Sequence, residues 1–246
     1  MNQKNTTPTE HKNKTITRVE QYSFDERYYQ REIEPGVFEY APSMTYVLGC
    51  VYPAHELADW RGDVGNKRAD EIMNDAGEEG SYVHESIEVI LKGQQITTAD
   101  IEQRFSRRRS LKIKRCLKAF LDWHAEFKPE IISAEYAVWG DGYAGTVDLK
   151  CRIGGETYIV DFKTSKSIHN THKAQIAGYG LADPTDKIAL LHLGNTTKKK
   201  YSFLVLDDEA RIRYEQECRM TVSMFHTLNP NAKPTDETFP DCFKLI

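Results

Sequence analysis

The chain has 246 residues, of which 39% are hydrophobic and 28% charged, a balance ordinary for a soluble globular protein and a length that favours one sizeable core over two domains. No run approaches the roughly 18 apolar residues that a membrane span needs, and a net charge of -4 gives no global attraction for nucleic acid, so such a partner has to be held by a local basic patch. Cys50, Cys116, Cys151, Cys218 and Cys242 are scattered without a C-x-x-C pair, which argues against a zinc site, an iron–sulfur cluster or a disulfide framework and predicts buried apolar cysteines.

Residues 1–20 are rich in Asn, Thr, Lys and Gln, with neither an apolar secretion segment nor an Arg-rich transit peptide, and read as a disordered tail of a cytoplasmic protein. A single domain over 21–246 follows, with a helical part at about 41–128 and a sheet core at about 131–227. Phe38 to Cys50 reads as a strand or turn entering a helix, with Ser43 as its cap and Tyr46, Val47 and Cys50 on its inner face. Glu56 to Gly77 is helical but charged, with Leu57, Trp60, Val64, Ala69, Ile72 and Met73 as contact residues. A clearer helix spans about Glu79 to Lys92, where Val83, Ile87, Ile90 and Leu91 form the stripe and Gly93 the stop. Ala99 to Phe127 is further helix, closed by Pro129. The period then changes to short β-rich runs at Ile131–Val138, Gly145–Ile153 and Thr157–Thr164. A helix at about His172–Leu181, strands near Lys187–Leu193 and Tyr201–Leu206, and a last helix capped by Asp207 or Asp208 through about Thr227 complete the order, with an irregular tail after it. The sum is an α/β fold: a mixed β-sheet core flanked by helices, with a helical N-terminal layer.

Gly154-Gly155 between two β-rich runs is the signature of a two-residue hairpin turn, which needs positive φ. With that turn Ile153 faces Glu156 and Asp148 lies opposite Asp161, their Cβ atoms roughly 4.5–5.5 Å apart on one face. Two facing carboxylates repel, and a hard divalent cation such as Mg²⁺ turns the repulsion into attraction. Lys163, two residues past Asp161, points to the same face, while Val160 and Phe162 point into the core. Asp148, Asp161 and Lys163 thus form a candidate catalytic constellation: a metal to activate water and neutralise phosphate, and a cation to orient that water or steady the transition state. The plain alternative is a solvated face with an ordinary Asp–Lys pair.

These residues, an Asp followed at fixed distance by Asp-x-Lys after a Gly-Thr-Val strand, resemble the PD-(D/E)XK nuclease superfamily, which has a restriction-endonuclease-like core. Gly80-Ser-Tyr-Val-His84 resembles the Gly-x-x-x-His helix of the RecB-like branch, and Gln175-Ile-Ala-Gly-Tyr179 its Q-x-x-x-Y signature. The segments Pro42–Leu48 and Leu57–Trp60 are similar to openings in the mitochondrial genome maintenance exonuclease and phage exonucleases, and the likeness covers roughly Ala41 to Tyr179. The resemblance implies a Mg²⁺ or Mn²⁺ ligand set of His84, Asp148, Asp161 and Phe162 (whose side chain faces the core), with Gln175, Tyr179 and Glu88 positioning substrate or ligands and Glu135 either doing the same, ligating a second metal or merely capping the strand cluster. Glu88, four residues from His84, is placed to accept a hydrogen bond from the imidazole. Some relatives carry a close-spaced cysteine group for an iron–sulfur cluster; Cys218 and Cys242 do not make one, so none is expected.

Arg104, Arg107, Arg108, Arg109, Lys112, Lys114, Arg115 and Lys118 form the densest basic run, and Arg107, Arg108, Arg109, Lys112 and Arg115 are the candidate phosphate contacts. Lys198-Lys199-Lys200 is a smaller candidate, and Tyr28, Tyr29, Phe38, Tyr40 and Trp60 are possible stacking surfaces for single-stranded bases. The leading expectation is an exonuclease acting on DNA ends and favouring single strands, in the cytoplasm of a bacterium or a phage-infected host. The alternatives are a structure-specific or restriction-type endonuclease and a catalytically silent nucleic-acid-binding module.

Overall fold

In the computed structural model Gly154 and Gly155 both take positive φ, 59° and 92°, as a two-residue turn of primed type requires. The structure describes residues 16–20, 27–52 and 55–234. The turn joins β5 (Ala144–Ile153) to β6 (Glu156–Lys163), the middle of a five-stranded sheet of order β4-β5-β6-β7-β8, with β4 at Glu130–Trp139, β7 at Lys187–Leu193 and β8 at Tyr201–Val205. Neighbours are antiparallel except β6 and β7, which are parallel and joined through α6 (Asn170–Ala182). The fold is α/β, a mixed sheet flanked by helices, as the order of predicted elements requires.

Both faces of the sheet are covered. On one, Leu149, Cys151, Val160, Phe162 and Leu191 pack against α3 (Asn66–Leu91), α4 (Thr98–Arg104) and α5 (Arg107–Phe127), through residues such as Val83, Ile87, Ile101, Phe120 and Trp123. On the other, Val147, Ile159, Ile188 and Leu190 pack against α1 (Met44–Val51), α6 and α7 (Asp208–Leu228). Phe120, Trp123 and Phe162 are fully buried, so truncating one to alanine would cost about 3–5 kcal/mol. The predicted N-terminal helical layer is therefore divided, because the apolar stripe of α1 (Met44, Val47, Leu48) matches α6 and α7 rather than α3.

Several boundaries move. Ile16–Glu20 is a strand, β1, paired antiparallel with β2 (Arg27–Glu34), which pairs in turn with β3 (Val37–Pro42); the expected disordered tail over 1–20 is corrected for 16–20, and 1–15 lies outside the described residues. This small sheet joins the main one through Tyr29, Ala41 and Ala144 and through a bridge of Ser43 to Ala144. Ser43 caps α1 as expected, accepting from the Tyr46 N–H at 3.1 Å, but Cys50 is exposed rather than on the inner face. Cys116, Cys151 and Cys218 are buried, and Cys242 lies outside the described residues.

The helix expected from Glu79 is the second half of the 26-residue α3, which runs unbroken from Asn66 through Gly77 and Gly80. Of the contact residues expected before it, Ala69 alone is buried, while Leu57, Ile72 and Met73 are exposed. The long helix from Ala99 is instead two, α4 and α5, because Phe105 leaves the helix to bury its ring and Ser106 restarts it. Among the described residues no helix is long and apolar enough to cross a membrane.

Candidate metal centre

The β5–β6 ladder runs in the predicted register from Ile153 opposite Glu156 to Leu149 opposite Val160 and stops one pair short of Asp148 and Asp161. Beyond that point β5 keeps pairing with β4, through Val147 with Tyr136 and Thr146 with Ala137. Asp148 fills the opening: its Oδ2 accepts from the Phe162 N–H at 2.5 Å, so a carboxylate takes the place of a ladder carbonyl. The two aspartates are therefore not a hydrogen-bonded strand pair, but both line one cavity of about 380 Å³. Both are almost fully buried, at 6% and 2% exposure.

His84, reaching in from α3, sets its Nδ1 3.2 Å from Asp148 Oδ1 and 4.0 Å from Glu135 Oε1. One ligand atom each from His84, Glu135 and Asp148 lie within 4.8 Å of one another, so these three could hold a metal ion. Glu135 arrives there from a distorted strand: its φ is +47°, a conformation that costs a non-glycine residue about 1 kcal/mol or more. The Phe162 ring meets the imidazole edge-on at 5.8 Å, so a core residue helps to fix the ring plane.

The expected ligand set is thereby redrawn. His84 and Asp148 come together, Glu135 stands with them where it could share a metal ion, and Asp161 lies beside the trio with its Oδ2 2.7 Å from Lys163 Nζ. Phe162 supplies its N–H to Asp148, and its ring belongs to the core. The expected bond from His84 to Glu88 is not formed: Glu88 lines the cavity but pairs with Lys92 at 2.5 Å, and Asp148 orients the imidazole instead.

Lys163 donates to Gln175 Oε1 at 2.9 Å, and Gln175 Nε2 donates to the Tyr179 hydroxyl at 2.9 Å. The two α6 residues predicted to share a face thus fix the ammonium. Room for the Tyr179 ring comes from Gly145, where a Cβ would lie 2.4 Å from a ring carbon.

The charges are poorly neutralised. Burial raises the Asp161 carboxyl to about 6 despite Lys163, with repulsion from Asp148 adding to the rise. The Lys163 ammonium lies 2.7 Å from Asp161 Oδ2, which has no other partner among the described residues. Burial and Asp148 likewise push Glu135 up to about 7. Burial would lower His84, but the facing Asp148 outweighs it and raises the imidazole to about 9. Burial also works against ionised Asp148, yet His84, Lys163 and the Phe162 N–H hold its carboxyl below the usual range. Crowded carboxylates withdrawn from water, two of them with raised carboxyls, fit a cation.

The cavity wall also includes Tyr29, expected only as a stacking surface for bases, and Ser43, Thr45, Gly80, Ser81, Glu85 and Thr146, to which sequence reasoning gave no role in the site. Ser43 was legible as a cap, Gly80 and Ser81 as part of a helix motif and Thr146 as part of the Gly-Thr-Val strand; Thr45 and Glu85 carry no periodic signal. The basic residues of α5 behave differently. Arg109 is held by Asp75, Glu78 and Glu79 at 3.1, 2.7 and 3.0 Å, and Lys112 by Glu79 at 3.2 Å. Arg107, Arg108, Lys112 and Arg115 line a surface groove with Leu111, outside the cavity. Lys199 pairs with Glu126. Tyr28 and Tyr29 are buried, whereas Phe38 and Tyr40 are exposed.

No family model and no curated protein matches the chain. Among solved structures it is similar to one described as the crystal structure of SSO0001, at 16% identity over 56% of this chain and 70% of that one, with a TM-score of 0.29. A likeness that weak carries no argument.

Proposed function

We propose that the chain is a metal-dependent deoxyribonuclease of the PD-(D/E)XK type and RecB-like branch, acting in the cytoplasm on the ends of single-stranded DNA. One observation carries the reading: His84, Glu135 and Asp148 gather three metal-donor atoms in a cavity that also holds Asp161 and Lys163. Two carboxylates and an imidazole make an oxygen-rich set suited to Mg²⁺ or Mn²⁺, which when bound supplies an activated water and offsets phosphate charge.

The remaining roles fall to the chain itself. Lys163 is the cavity's ammonium, and Gln175 and Asp161 fix it from two sides. It is placed to meet a phosphoryl oxygen as negative charge grows there, without reorganisation at the moment of reaction. Tyr179 holds Gln175, and Gly145 makes room for Tyr179, so the ammonium rests on a chain of packed groups reaching into the core. The Phe162 ring, edge-on to the imidazole, holds His84 in place for the cation. A cavity of about 380 Å³ is near the small end of ligand sites and suits one nucleotide of a single strand. The preference for ends rests on the family resemblance.

The test is digestion of end-labelled single- and double-stranded DNA and of closed circular single-stranded DNA, with Mg²⁺, Mn²⁺ or EDTA. Linear single strands should be degraded with either metal, circles left intact, and EDTA should stop the reaction. Opened circles would point to an endonuclease on the same centre. Failure of the wild type to cut any DNA, or undiminished activity in Asp161→Ala, would refute the proposal.

A further inference from the structure

We infer that the exposed groove of α5 holds the phosphate backbone of the substrate strand outside the cavity, through Arg107, Arg108, Arg115 and Lys112. The inference rests on the nuclease reading above for its choice of anion, a single strand of DNA. The basic run of this helix falls into two classes. Arg109, Lys114 and Lys118 are each held by an acidic side chain. Arg107, Arg108 and Arg115 are exposed, have no acidic partner among the described residues, and line one groove with Leu111 and Lys112. Their placing is unfavourable for the protein alone. Arg107 and Arg108 open α5 at the helix end that prefers negative charge, its first turn carries no acid, and the Ser106 side chain makes no capping bond. Three uncompensated arginines within about two turns, on a chain whose net charge is -4, make a local field that a polyanion relieves.

Two contacts put the groove at the same end of the sheet as Lys163. Arg115 precedes Cys116, whose Sγ packs so closely on Gly194 that a Cβ there would lie 2.6 Å away, and Gly194 closely follows His192, the β7 neighbour of Lys163. Lys112 meets Glu79 at 3.2 Å, and Gly80, the next residue of α3, lines the cavity. No acidic residue stands in the chain between Asp161 and Asp183, or between Asp186 and Asp207. The loops after β6 and β7 therefore bring no carboxylate of their own to a strand passing from cavity to groove. Arginine suits the task because its planar fork matches phosphate oxygens, and such backbone contacts give affinity without reading sequence. A membrane surface fits less well: Leu111 is the one apolar residue lining the groove, whereas an interfacial helix lays down a broad apolar face. Strands long enough to reach the groove should therefore be bound and cut better than strands that only fill the cavity.

The experiment compares wild type with a triple variant, Arg107→Ala, Arg108→Ala and Arg115→Ala together, on labelled single strands of about 4 and about 20 nucleotides. Binding is read by fluorescence anisotropy in EDTA over a range of salt, and cleavage as kcat/KM in Mg²⁺. All three positions are exposed, and thermal midpoints check that the fold is kept. Arg213→Ala, on α7 across the sheet, controls for net charge against Arg115→Ala alone. The triple variant should bind the long strand about tenfold more weakly, the scale of three exposed ion pairs, and lower the slope of log affinity against log salt by about two. Its kcat/KM should fall by a similar factor on the long strand and hold on the short one, while Arg213→Ala matches wild type on both. A triple variant that binds and cuts the long strand like wild type, or that loses equally on both lengths, would overturn the groove and leave the nuclease reading standing. So would loss of binding to phosphatidylserine vesicles with none to DNA, which would mark a membrane face instead. A wild type that holds long strands through these arginines yet cuts none would sustain the groove and end the nuclease reading.

Discussion

The β5–β6 hairpin and helix α5 are the two places where the chain concentrates charge, and the structure treats them in opposite ways. On α5, Arg109, Lys112, Lys114 and Lys118 each meet an acidic partner at or near the surface, which is what a solvated charged helix needs. At the hairpin, Asp148 and Asp161 are buried beside the half-buried Glu135 and His84, the carboxyls of Asp161 and Glu135 are raised, and Asp161 Oδ2 meets the Lys163 ammonium and no other partner among the described residues. A density of charge says little by itself. Charge that is withdrawn from water and left short of partners is the costly arrangement, and it marks the place where a ligand completes the structure.

The contrast can be broken most forcefully at the hairpin. Asp148→Asn keeps the shape but removes a metal donor and the charge facing His84; cleavage of single-stranded DNA should fall by about a thousandfold or more, the scale of removing one preorganised electrostatic group. Arg108→Ala, at the other charged region, should change the same rate only a few fold. Gly145→Ala comes next. Its new methyl displaces the Tyr179 ring and with it the Gln175–Lys163 contact, so urea melts should show a loss of about 1–3 kcal/mol alongside a lower kcat.

A third consequence is a pH dependence confined to the hairpin. The folded state raises Glu135 to about 7, Asp161 to about 6 and His84 to about 9, so it binds protons more tightly than the unfolded chain. In EDTA, stability should be greatest near pH 4–5 and decline as pH rises through these values, the carboxyls losing their contribution first and His84 last. Asp148 works in the opposite sense, since its lowered carboxyl contributes above the usual carboxylate range and loses that contribution on acidification. Mn²⁺ should restore several degrees of melting temperature at pH 8.5 and little at pH 5; equal shifts at both would contradict the assignment. The smallest effect belongs to α5. If its groove contacts DNA, Arg107→Ala and Arg115→Ala should each lower the slope of log affinity against log salt by about one, whereas Arg109→Ala, already committed to three acids, should leave the slope unchanged and lower stability instead.

What the sequence disclosed follows the same division. The hairpin was legible because two glycines at a turn fix the register of every residue behind them, and α6 because Gln175 and Tyr179 are one helical turn apart. The opening of the ladder at Asp148 was not, since a side chain taking a backbone partner leaves no trace in a periodicity. Glu135 was underrated for a related reason: its left-handed backbone, which brings the carboxylate to His84, is not encoded by a glycine or asparagine. Of the small sheet, the strand or turn expected from Phe38 corresponds to β3, whereas β2 escaped notice because it reads as Tyr-Tyr followed by charged residues, without alternation. The wall hydroxyls of Tyr29, Thr45 and Thr146 depend on that sheet and on α1 docking beside β5, relations between distant segments that no local pattern announces.

The central claim is that the trio of His84, Glu135 and Asp148 is completed by a divalent cation. Calorimetric titration of Mn²⁺ into metal-free protein tests it most directly, with His84→Ala and Glu135→Gln run alongside the wild type. The account predicts Mn²⁺ bound by the wild type and at least tenfold weaker binding in each variant. Absence of binding in the wild type, or binding that neither substitution weakens, would contradict it.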